Sequence, residues 1–323
     1  MNRPALRKLR RALVIHSGAL GDTVLMLRIL QAVRMIGAAQ VDLLGRGCYR
    51  ELLVSTGCID GHLDLDSGGF HKLFSADTEL PPAVAESLAD YDLVVDMLGD
   101  DRSVGRHLDR IGIGRRFHID PRPMADRTDH ITDQWLESLG RQLDQSGFSP
   151  PAIDQVGPPT IPLDRFADRR CRAAAESGSN DSNAILLHPG SGSRTKCWPL
   201  DHFITVARHL QSGPRSVAFL VGPVEKETFT RDELHGIQVV AEIIEPGDLV
   251  QLATIVRAAP LLIGNDSGVS HLAAAIGVPV IAVFGPTRAS TWRPLGRAVK
   301  VLCSSSDWPT IEQVLDAAKP FTP

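Results

Sequence analysis

The sequence predicts an α/β protein with two doubly wound parallel-sheet domains. Short apolar runs typical of buried parallel strands alternate with segments whose apolar residues recur at helical spacing. Glycine-rich or polar turns follow several of these runs, as at the carboxyl ends of strands in such sheets. The 323 residues suffice for about two domains. Residues 146–162, rich in proline and glycine, have the composition of a linker between them.

An opening βαβ unit is predicted near the amino end. Residues 12–15 form an apolar strand, residues 23–36 show helical spacing, and residues 41–44 form the next strand. This order is that of a right-handed crossover between parallel strands.

The turn inside this unit, residues 16–22, carries a candidate functional carboxylate. Gly18 and Gly21 lack the third glycine of the dinucleotide fingerprint, which argues against NAD binding. Asp22 lies at the helix entrance, where it is either a helix cap or a functional group.

The rest of the first domain continues the pattern and adds a basic segment. Strands are predicted at residues 63–65, 91–97 and 111–117, and a helix at residues 130–145. Arg102, Arg106 and Arg110 recur every four residues and therefore share a helix face. That face is either simply solvated or a basic rim for an anionic acceptor.

The second domain is predicted to repeat the alternation. A polar helix that ends near residue 176 comes first, with later helices at residues 200–210 and 249–258. Strands are predicted at residues 184–187, 216–221, 239–241, 261–263 and 280–284. Polar loops at residues 188–196, 222–225 and 265–271 follow three of these strands, so they should converge at one binding crevice.

The loop at residues 188–196 offers the parts of a phosphate cradle. It has glycine-rich backbone donors, hydroxyls and the cation Lys196. It is not a Walker motif, because Thr195 precedes the lysine and Cys197 follows it. The alternative is a solvated surface loop.

The turn at residues 265–271 crowds five polar residues into seven positions. Asp266 or Ser267 can cap the following helix, which Gly277 ends. The unpaired N–H groups and the dipole of such a helix start favour an anion. A cap needs only one polar residue, so the additional ones indicate a ligand. His271 stands four residues after Ser267 and can face the same side.

Composition excludes several classes of protein. A net charge of −4 and 5% aromatic residues argue against nucleic-acid binding. The five scattered cysteines fit free thiols in a reducing compartment, and no apolar run has the length of a membrane helix. We therefore expect a cytoplasmic protein. The basic start allows a peripheral contact with the inner face of the cytoplasmic membrane.

Four motifs, taken together, resemble those of glycosyltransferase family 9, the ADP-heptose:lipopolysaccharide heptosyltransferase group. They are GALGD at residues 18–22, HPGS at 188–191 with the later Lys196 and Trp198-Pro199, NDSGVSHL at 265–272, and GPT at 285–287. The likeness spans nearly the whole chain in the right order.

The resemblance implies a GT-B architecture, with two Rossmann-like domains facing across a cleft. The acceptor and the catalytic base would belong to residues 1–160, and the nucleotide sugar to residues 161–323. The last helix could return to the first domain.

The resemblance also implies roles for individual residues. Donor-binding roles fall on Ser191, Lys196, Glu225, Asp266, Ser267, Gly268 and His271. Lys196 and the Ser267 turn would hold the diphosphate, and Glu225 would meet the ribose. Asp22 would be the catalytic base. Gly18, Arg102 and Arg106 would lie on the acceptor side.

The reaction implied is an inverting transfer, without metal or cofactor, from a nucleoside-diphosphate sugar to a glycan or glycolipid acceptor. ADP-heptose and a lipopolysaccharide-type acceptor are the expected substrates. Two alternatives stay open. One is a nucleotide-sugar epimerase on the same architecture, and the other is a non-catalytic protein that binds sugar nucleotides.

Overall fold

The computed structural model describes residues 9–75, 78–99, 102–165, 183–304 and 307–322. The chain divides into two compact units. The first comprises Met1–Ala19 and Leu25–Gly157, and the second Leu20–Val24 and Pro158–Pro323. The division at Gly157 falls inside the proline-rich stretch. The polar helix predicted to end near residue 176 lies outside the described residues.

The first unit is built on a parallel sheet. Its described strands are β1 (Arg11–Ile15), β2 (Gln40–Gly45), β3 (Gly61–Asp64), β4 (Leu93–Asp96) and β5 (Arg116–His118). Their order in the sheet is β3-β2-β1-β4-β5, with every neighbouring pair parallel. Ile15 pairs with Asp96, which pairs with His118, so three strands end at the same level.

Helices cover this sheet. Those of the first unit are α1 (Leu20–Met35), α2 (Arg50–Ser55), α3 (Pro82–Ala89), α4 (Arg102–Ile111) and α5 (Ile131–Gln145). The predicted helix at 130–145 is confirmed, and the side chain of His130 caps it by accepting from the N–H of Thr132. A buried arginine, Arg28 of α1, donates to the hydroxyl of Thr132 at 2.7 Å and to the carbonyl of Val156 at 2.9 Å. It therefore joins α1, α5 and the segment before the second unit.

Two sequence predictions in the first unit need correction. α1 begins at Leu20 rather than at residue 23, so Asp22 lies within its first turn and is not its cap, which is Ala19. The strand predicted at residues 111–117 is only Arg116–His118, because Ile111 is the last residue of α4. Gly112 follows with a φ of 83°, a left-handed conformation suited to glycine.

The second unit is built on another parallel sheet. Its described strands are β6 (Ile185–His188), β7 (Val217–Leu220), β8 (Glu242–Ile244), β9 (Leu262–Asn265), β10 (Val280–Phe284) and β11 (Val299–Cys303). Their order is β11-β10-β9-β6-β7-β8, and all neighbours are parallel. The central strands β6, β9 and β10 are fully buried, which is why they read as continuous apolar runs.

Helices again cover the sheet. In the described residues they are α6 (Leu200–Leu210), α7 (Pro223–Thr228), α8 (Arg231–Gln238), α9 (Leu249–Ala258), α10 (Gly268–Ile276), α11 (Ala289–Trp292) and α12 (Ile311–Ala318). Ser267 caps α10 by accepting from the N–H of Ser270, and Gly277 ends it with a φ of 94°. Both predictions for this helix are therefore confirmed. Asp266 is not its cap.

The strand predicted at residues 239–241 is wrong. Val239 is the carboxyl-terminal cap of α8, and the strand begins at Glu242. β8 is an edge strand that pairs only with β7 among the described strands. Its residues range from exposed to buried, so it carries no continuous apolar signal.

The last described helix belongs to the second unit. α12 packs on α6, β10 and β11. Just before it, the indole N–H of Trp198 donates to the carbonyl of Pro309 at 2.9 Å. The ring of Trp308 covers Gly285, where an added Cβ would lie 2.5 Å from it. No helix of the described residues has both the length and the apolar character needed to cross a membrane.

Candidate active site

The site of the second unit begins where β6 ends. His188 is the last residue of that strand, and Ser191 follows it closely in the chain. The hydroxyl of Ser191 donates to the backbone carbonyl of Asp266 at 2.6 Å. The loop after β6 is thereby fastened to the turn after β9. These are the adjacent carboxyl strand ends that the sequence predicts to converge.

Asn265 is the buried centre of this junction. Its side-chain carbonyl accepts from the backbone N–H of Trp198 at 2.9 Å. Its amide nitrogen donates to the carbonyls of Pro189 at 2.8 Å and Gly190 at 3.3 Å. The residue is completely buried, so these bonds replace the water that its polar groups would otherwise bind. One side chain therefore fixes both ends of the loop.

The start of α10 is held by two serines. The hydroxyl of Ser267 lies 3.3 Å from that of Ser270, which donates to the backbone carbonyl of Asn265 at 2.7 Å. Gly264 leaves room for this contact, because an added Cβ would lie 3.0 Å from the Ser270 hydroxyl. The helix start is thus rigid, with its first N–H groups at the carboxyl edge of the sheet.

Asp266 lies between two potential cations. Its carboxylate is 3.3 Å from Nζ of Lys196 and 3.9 Å from Nε2 of His271. Asp266 and His271 are buried, whereas the Lys196 side chain is 39% exposed. A buried carboxylate is stabilised by such neighbours. Lys196 can reach a further anion from its partly exposed position.

A second buried acid, Glu225 of α7, faces the same loop. One carboxylate oxygen lies 3.6 Å from Nε2 of His188, and the other accepts from the N–H of Gly222 at 2.7 Å. Burial raises the pKa of Glu225. The hydrogen bond and charge of His188, together with the hydrogen bond from the Gly222 N–H, lower it by more, so the net pKa is lowered. Glu225 therefore stays ionised and is ready to accept from hydroxyl groups.

His188 connects these two parts of the site. Its Nδ1 lies 3.2 Å from the hydroxyl of Ser267, and its other ring nitrogen faces Glu225. Gly190 fits beside this pair only because it has no side chain, since an added Cβ would lie 1.7 Å from the Glu225 carboxylate. The sequence motif contained His188, but its role as a bridge depends on residues far along the chain.

The first turn of α1 belongs to the second unit and lies against α10. An added Cβ on Gly268 would be 2.8 Å from Leu20, and one on Gly21 would be 3.2 Å from the ring of His271. Asp22 follows Gly21 directly and is an acidic residue in the first turn of its helix. Asp22 and the α10 turn, predicted separately from the sequence, are therefore neighbours in the fold.

The candidate acceptor residues are more dispersed. The carbonyl of Gly18 accepts from the hydroxyl of Tyr49 at 3.4 Å. Arg106 and Arg110 are exposed on α4, which packs against α3 and the turn Phe70–Phe74. The side chain of Arg102 lies outside the described residues. The exposure of Arg106 fits a solvated helix face and a basic rim equally, so its acceptor role stays a prediction.

The described residues contain no group of three or more histidine, cysteine, aspartate or glutamate side chains placed to hold a metal ion. The charged groups around Asp266 instead suit an anion. Lys196 supplies a cation, and the α10 start supplies backbone donors.

Comparison with solved structures shows the same fold elsewhere. A glycosyltransferase family 9 protein from Veillonella parvula superposes with a TM-score of 0.76 at 19% identity, covering 99% of each chain. The E. coli ADP-heptose lipopolysaccharide heptosyltransferase II gives a TM-score of 0.73 at 16% identity, covering 96% of this chain and 98% of that one. With the two all-parallel sheets, these likenesses confirm the predicted GT-B fold.

Sequence comparison then gives the family. The family model "Glycosyltransferase family 9 (heptosyltransferase)" matches residues 154–319, which is 166 of the 323 residues. The chain therefore belongs to glycosyltransferase family 9. Lipopolysaccharide heptosyltransferase 3 of Escherichia coli K12 is 31% identical over 113 residues. That match covers 34% of this chain and 33% of the relative, so the chain spans about a third of the relative's length.

Proposed function

We propose that this protein is an inverting glycosyltransferase that moves a sugar from a nucleoside-diphosphate donor to a glycan or glycolipid acceptor. The names of its relatives support heptose as the sugar, ADP-heptose as the donor and a lipopolysaccharide-type acceptor. The observation that carries the proposal is the meeting of Lys196, Asp266 and the α10 start at one edge of the second sheet.

The donor side follows from that meeting. A leaving diphosphate develops negative charge, which preorganised donors stabilise without rearranging. Lys196 and the first N–H groups of α10, with Gly268 allowing close approach, are such donors. The ionised Glu225 would accept hydrogen bonds from the ribose hydroxyls. Asp266 and His271 would lie beside the phosphate and the sugar, and Ser191 would hold the loop over them.

The acceptor hydroxyl needs a base, and Asp22 is our candidate. Asp22 is joined in the chain to Gly21, which lies against His271. A carboxylate in the first turn of a helix is stabilised by the dipole and is therefore a weak base. A weak base suffices if the bond between the sugar and the diphosphate breaks before the acceptor hydroxyl loses its proton, because that hydroxyl is then more acidic. Inversion results when base and leaving group act on opposite sides of the reacting carbon.

No metal or cofactor enters this scheme. Lys196 and the α10 amides supply the charge that a divalent ion would otherwise provide. We expect full transfer activity in excess chelator. Activity that disappears in chelator and returns with magnesium or manganese would overturn this part of the proposal.

The place of action is part of the same proposal. A lipopolysaccharide-type acceptor is a glycolipid, so we infer a cytoplasmic protein in peripheral contact with the inner face of the membrane. Partial release of the full chain from membranes by raised salt, without detergent, would support that contact.

The proposal is tested by a ligand screen followed by a transfer assay. ADP, GDP, UDP and CDP are screened by thermal shift, because a ligand that binds the native state raises its melting temperature. ADP-heptose is then incubated with a heptose-deficient lipopolysaccharide core, and transfer is followed by mass spectrometry. We expect ADP to give the largest shift and heptose to appear on the core. Binding without transfer or hydrolysis would point to a non-catalytic protein, and conversion of the free donor to its epimer would point to an epimerase.

A further inference from the structure

A buried carboxylate and a half-exposed imidazole form a pair at the carboxyl edge of the first sheet. Asp96 ends β4, and His118 ends the neighbouring strand β5. Oδ2 of Asp96 lies 3.4 Å from Nδ1 of His118. The Asp96 side chain is 2% exposed, whereas the His118 side chain is 41% exposed.

The pair is more than a link between strands. The backbones are already joined, because the N–H of Ile119 donates to the carbonyl of Asp96 at 2.8 Å. Here Asp96 is buried while the ring of His118 is exposed to solvent. A carboxylate that orients a functional imidazole has this arrangement.

His118 is held at both its backbone and its ring. The side-chain amide of Gln142 accepts from the His118 N–H at 2.9 Å and donates to the His118 carbonyl at 2.8 Å. The other oxygen of Asp96 accepts from the N–H of Leu98 at 3.1 Å, which fixes the carboxylate. With Nδ1 facing Asp96, Nε2 is on the other edge of the ring and has no hydrogen-bond partner among the described residues.

The charges around the ring favour its cationic form. The hydrogen bond that the ring donates to Asp96 raises the pKa of His118, and burial lowers it. The charges of Asp96 and Asp120 raise this pKa and that of Arg116 lowers it, for a net raised pKa. Asp120 is itself bonded to Arg122, at 2.8 and 3.0 Å. The outward N–H of an imidazolium is a charge-assisted donor, whose natural partner is an anionic oxygen.

The pairing of strand ends shows where the His118 ring lies relative to the turn that leads to Asp22. Asp96 pairs with Ile15, the last residue of β1, and the chain leaves β1 for the turn that leads to Asp22. Carboxyl strand ends are where sheets of this kind bind ligands. The pair therefore stands one strand away from the start of that turn.

We propose that His118, positioned by Asp96, binds an anionic group of the acceptor, a phosphate or a carboxylate. This inference rests on the proposed function for the identity of the ligand as an acceptor. The anion chemistry itself follows from the pair, and it can be measured without knowing the acceptor.

The test is an NMR titration of the full chain with ring-labelled histidines, in saturating ADP to occupy the nucleotide site. His118 is assigned by loss of its signal in His118→Gln. Inorganic phosphate and sodium acetate are the probes, with sodium chloride at matched ionic strength as the reference. We expect a saturable shift of the His118 signal with phosphate, with acetate or with both. His71, an exposed histidine of the same unit, is the control and should not shift.

Asp96→Asn separates this role from a structural one. The variant keeps the shape of the side chain but removes its charge, so the pKa of His118 should fall. Phosphate or acetate affinity at neutral pH should fall about tenfold, the value of a charge-assisted hydrogen bond. A response to phosphate alone would identify a phosphorylated acceptor group, and a response to acetate alone a sugar acid.

Two results would overturn the inference. One is a His118 signal that moves no more with phosphate or acetate than with chloride. The other is an unchanged anion affinity in Asp96→Asn with His118 still folded in place. ADP binding, measured by calorimetry on the same protein preparation before ADP is added, reports separately on the proposed function. Intact ADP binding with no anion response would reject only the role of His118.

Discussion

The side chain of Asn265 accepts a hydrogen bond from the backbone N–H of Trp198, although 67 residues separate them in the chain. Its amide nitrogen holds the carbonyls of Pro189 and Gly190 at the other end of the same loop. A single buried amide thereby defines the shape of the loop that carries Lys196.

Asn265→Asp should therefore destabilise the second unit. The carboxylate has the same shape, but it cannot donate and would face two carbonyl oxygens in a fully buried position. We expect a loss of at least about 1–3 kcal/mol in the free energy of unfolding, measured by urea denaturation. Asn183→Asp is the control, since Asn183 is exposed and bonded to Arg215. Equal effects of the two substitutions would contradict the role given to Asn265.

Gly190→Ala and Gly192→Ala form a matched pair within one loop. A methyl group at Gly190 would overlap the Glu225 carboxylate, whereas nothing lies within 4 Å of a methyl group at Gly192. Glu225 must then turn away from His188 and lose its place beside the loop. We expect Gly190→Ala to weaken ADP binding at least about tenfold by calorimetry, the cost of one lost charge-assisted hydrogen bond. Gly192→Ala should bind like the wild type, and a similar loss in both would mean that loop flexibility matters instead.

Lys196→Ala tests the phosphate contact directly. Removing a charge-assisted donor should weaken nucleoside-diphosphate binding by roughly 1.5–3 kcal/mol. The nucleoside alone should bind with little change, because the cation acts on phosphate. Lys319→Ala, which removes an exposed lysine paired with Asp316, serves as the control. Unchanged diphosphate affinity in Lys196→Ala would place the phosphates elsewhere.

Asp22→Asn separates catalysis from stability. Asp22 is not the cap of α1, so its substitution removes a helix-dipole contribution of about 0.3–1 kcal/mol without removing a cap. If Asp22 is the base, turnover should fall roughly 10²–10⁴-fold while donor affinity stays near wild type. Asp201→Asn removes another first-turn acid, at the start of α6, and should leave turnover unchanged. A mutant that transfers sugar at the normal rate would exclude Asp22 as the base.

His16 should make the protein sensitive to acid. The pKa of His16 is lowered from 6.5 to about 4, mainly by burial and further by the Arg46 charge, against an opposing influence of the Met97 backbone. The folded state therefore stays unprotonated at His16 between pH 6.5 and 4, while the unfolded state takes up a proton. Stability is lost as pH falls through this window, at about 1.4 kcal/mol per pH unit.

The measurement is the free energy of unfolding at pH 7 and at pH 5. We expect His16→Gln to lose less stability than the wild type between these values, whatever its stability at pH 7. His71→Gln, at an exposed position, should follow the wild type. Parallel curves for all three proteins would show that His16 does not titrate as described.

The sequence predicts central strands well and peripheral ones poorly, for a physical reason. Strands β6, β9 and β10 are buried on both faces, so they are apolar up to the polar residues His188 and Asn265 that end β6 and β9. The edge strands β5 and β8 have only one strand partner each among the described strands and tolerate polar residues. The apolar residues 239–241 misled the prediction because Val239 caps a helix and is 67% exposed there, and periodicity in so short a run cannot distinguish a helix end from a strand.

The candidate site was predictable in its positions but not in its pairings. Polar residues after a buried strand indicate a ligand edge, and this signal identifies Lys196, Asp266 and Asp22. The contact between His188 and Glu225 depends on how two loops fold together, and no spacing rule encodes it. Asp96 and His118 were missed for a related reason, since each is a single polar residue at the end of a short strand.

The bond between Trp198 and Pro309 also constrains how the protein is made. These residues are 111 positions apart, and the ribosome adds them in order from the amino end. The indole of Trp198 therefore cannot make this bond until Pro309 has left the exit tunnel. Through that interval the Trp198 ring, 1% exposed in the folded state, has no cover from this segment. A nascent chain stalled before Pro309 should thus expose an apolar surface on which a chaperone would act.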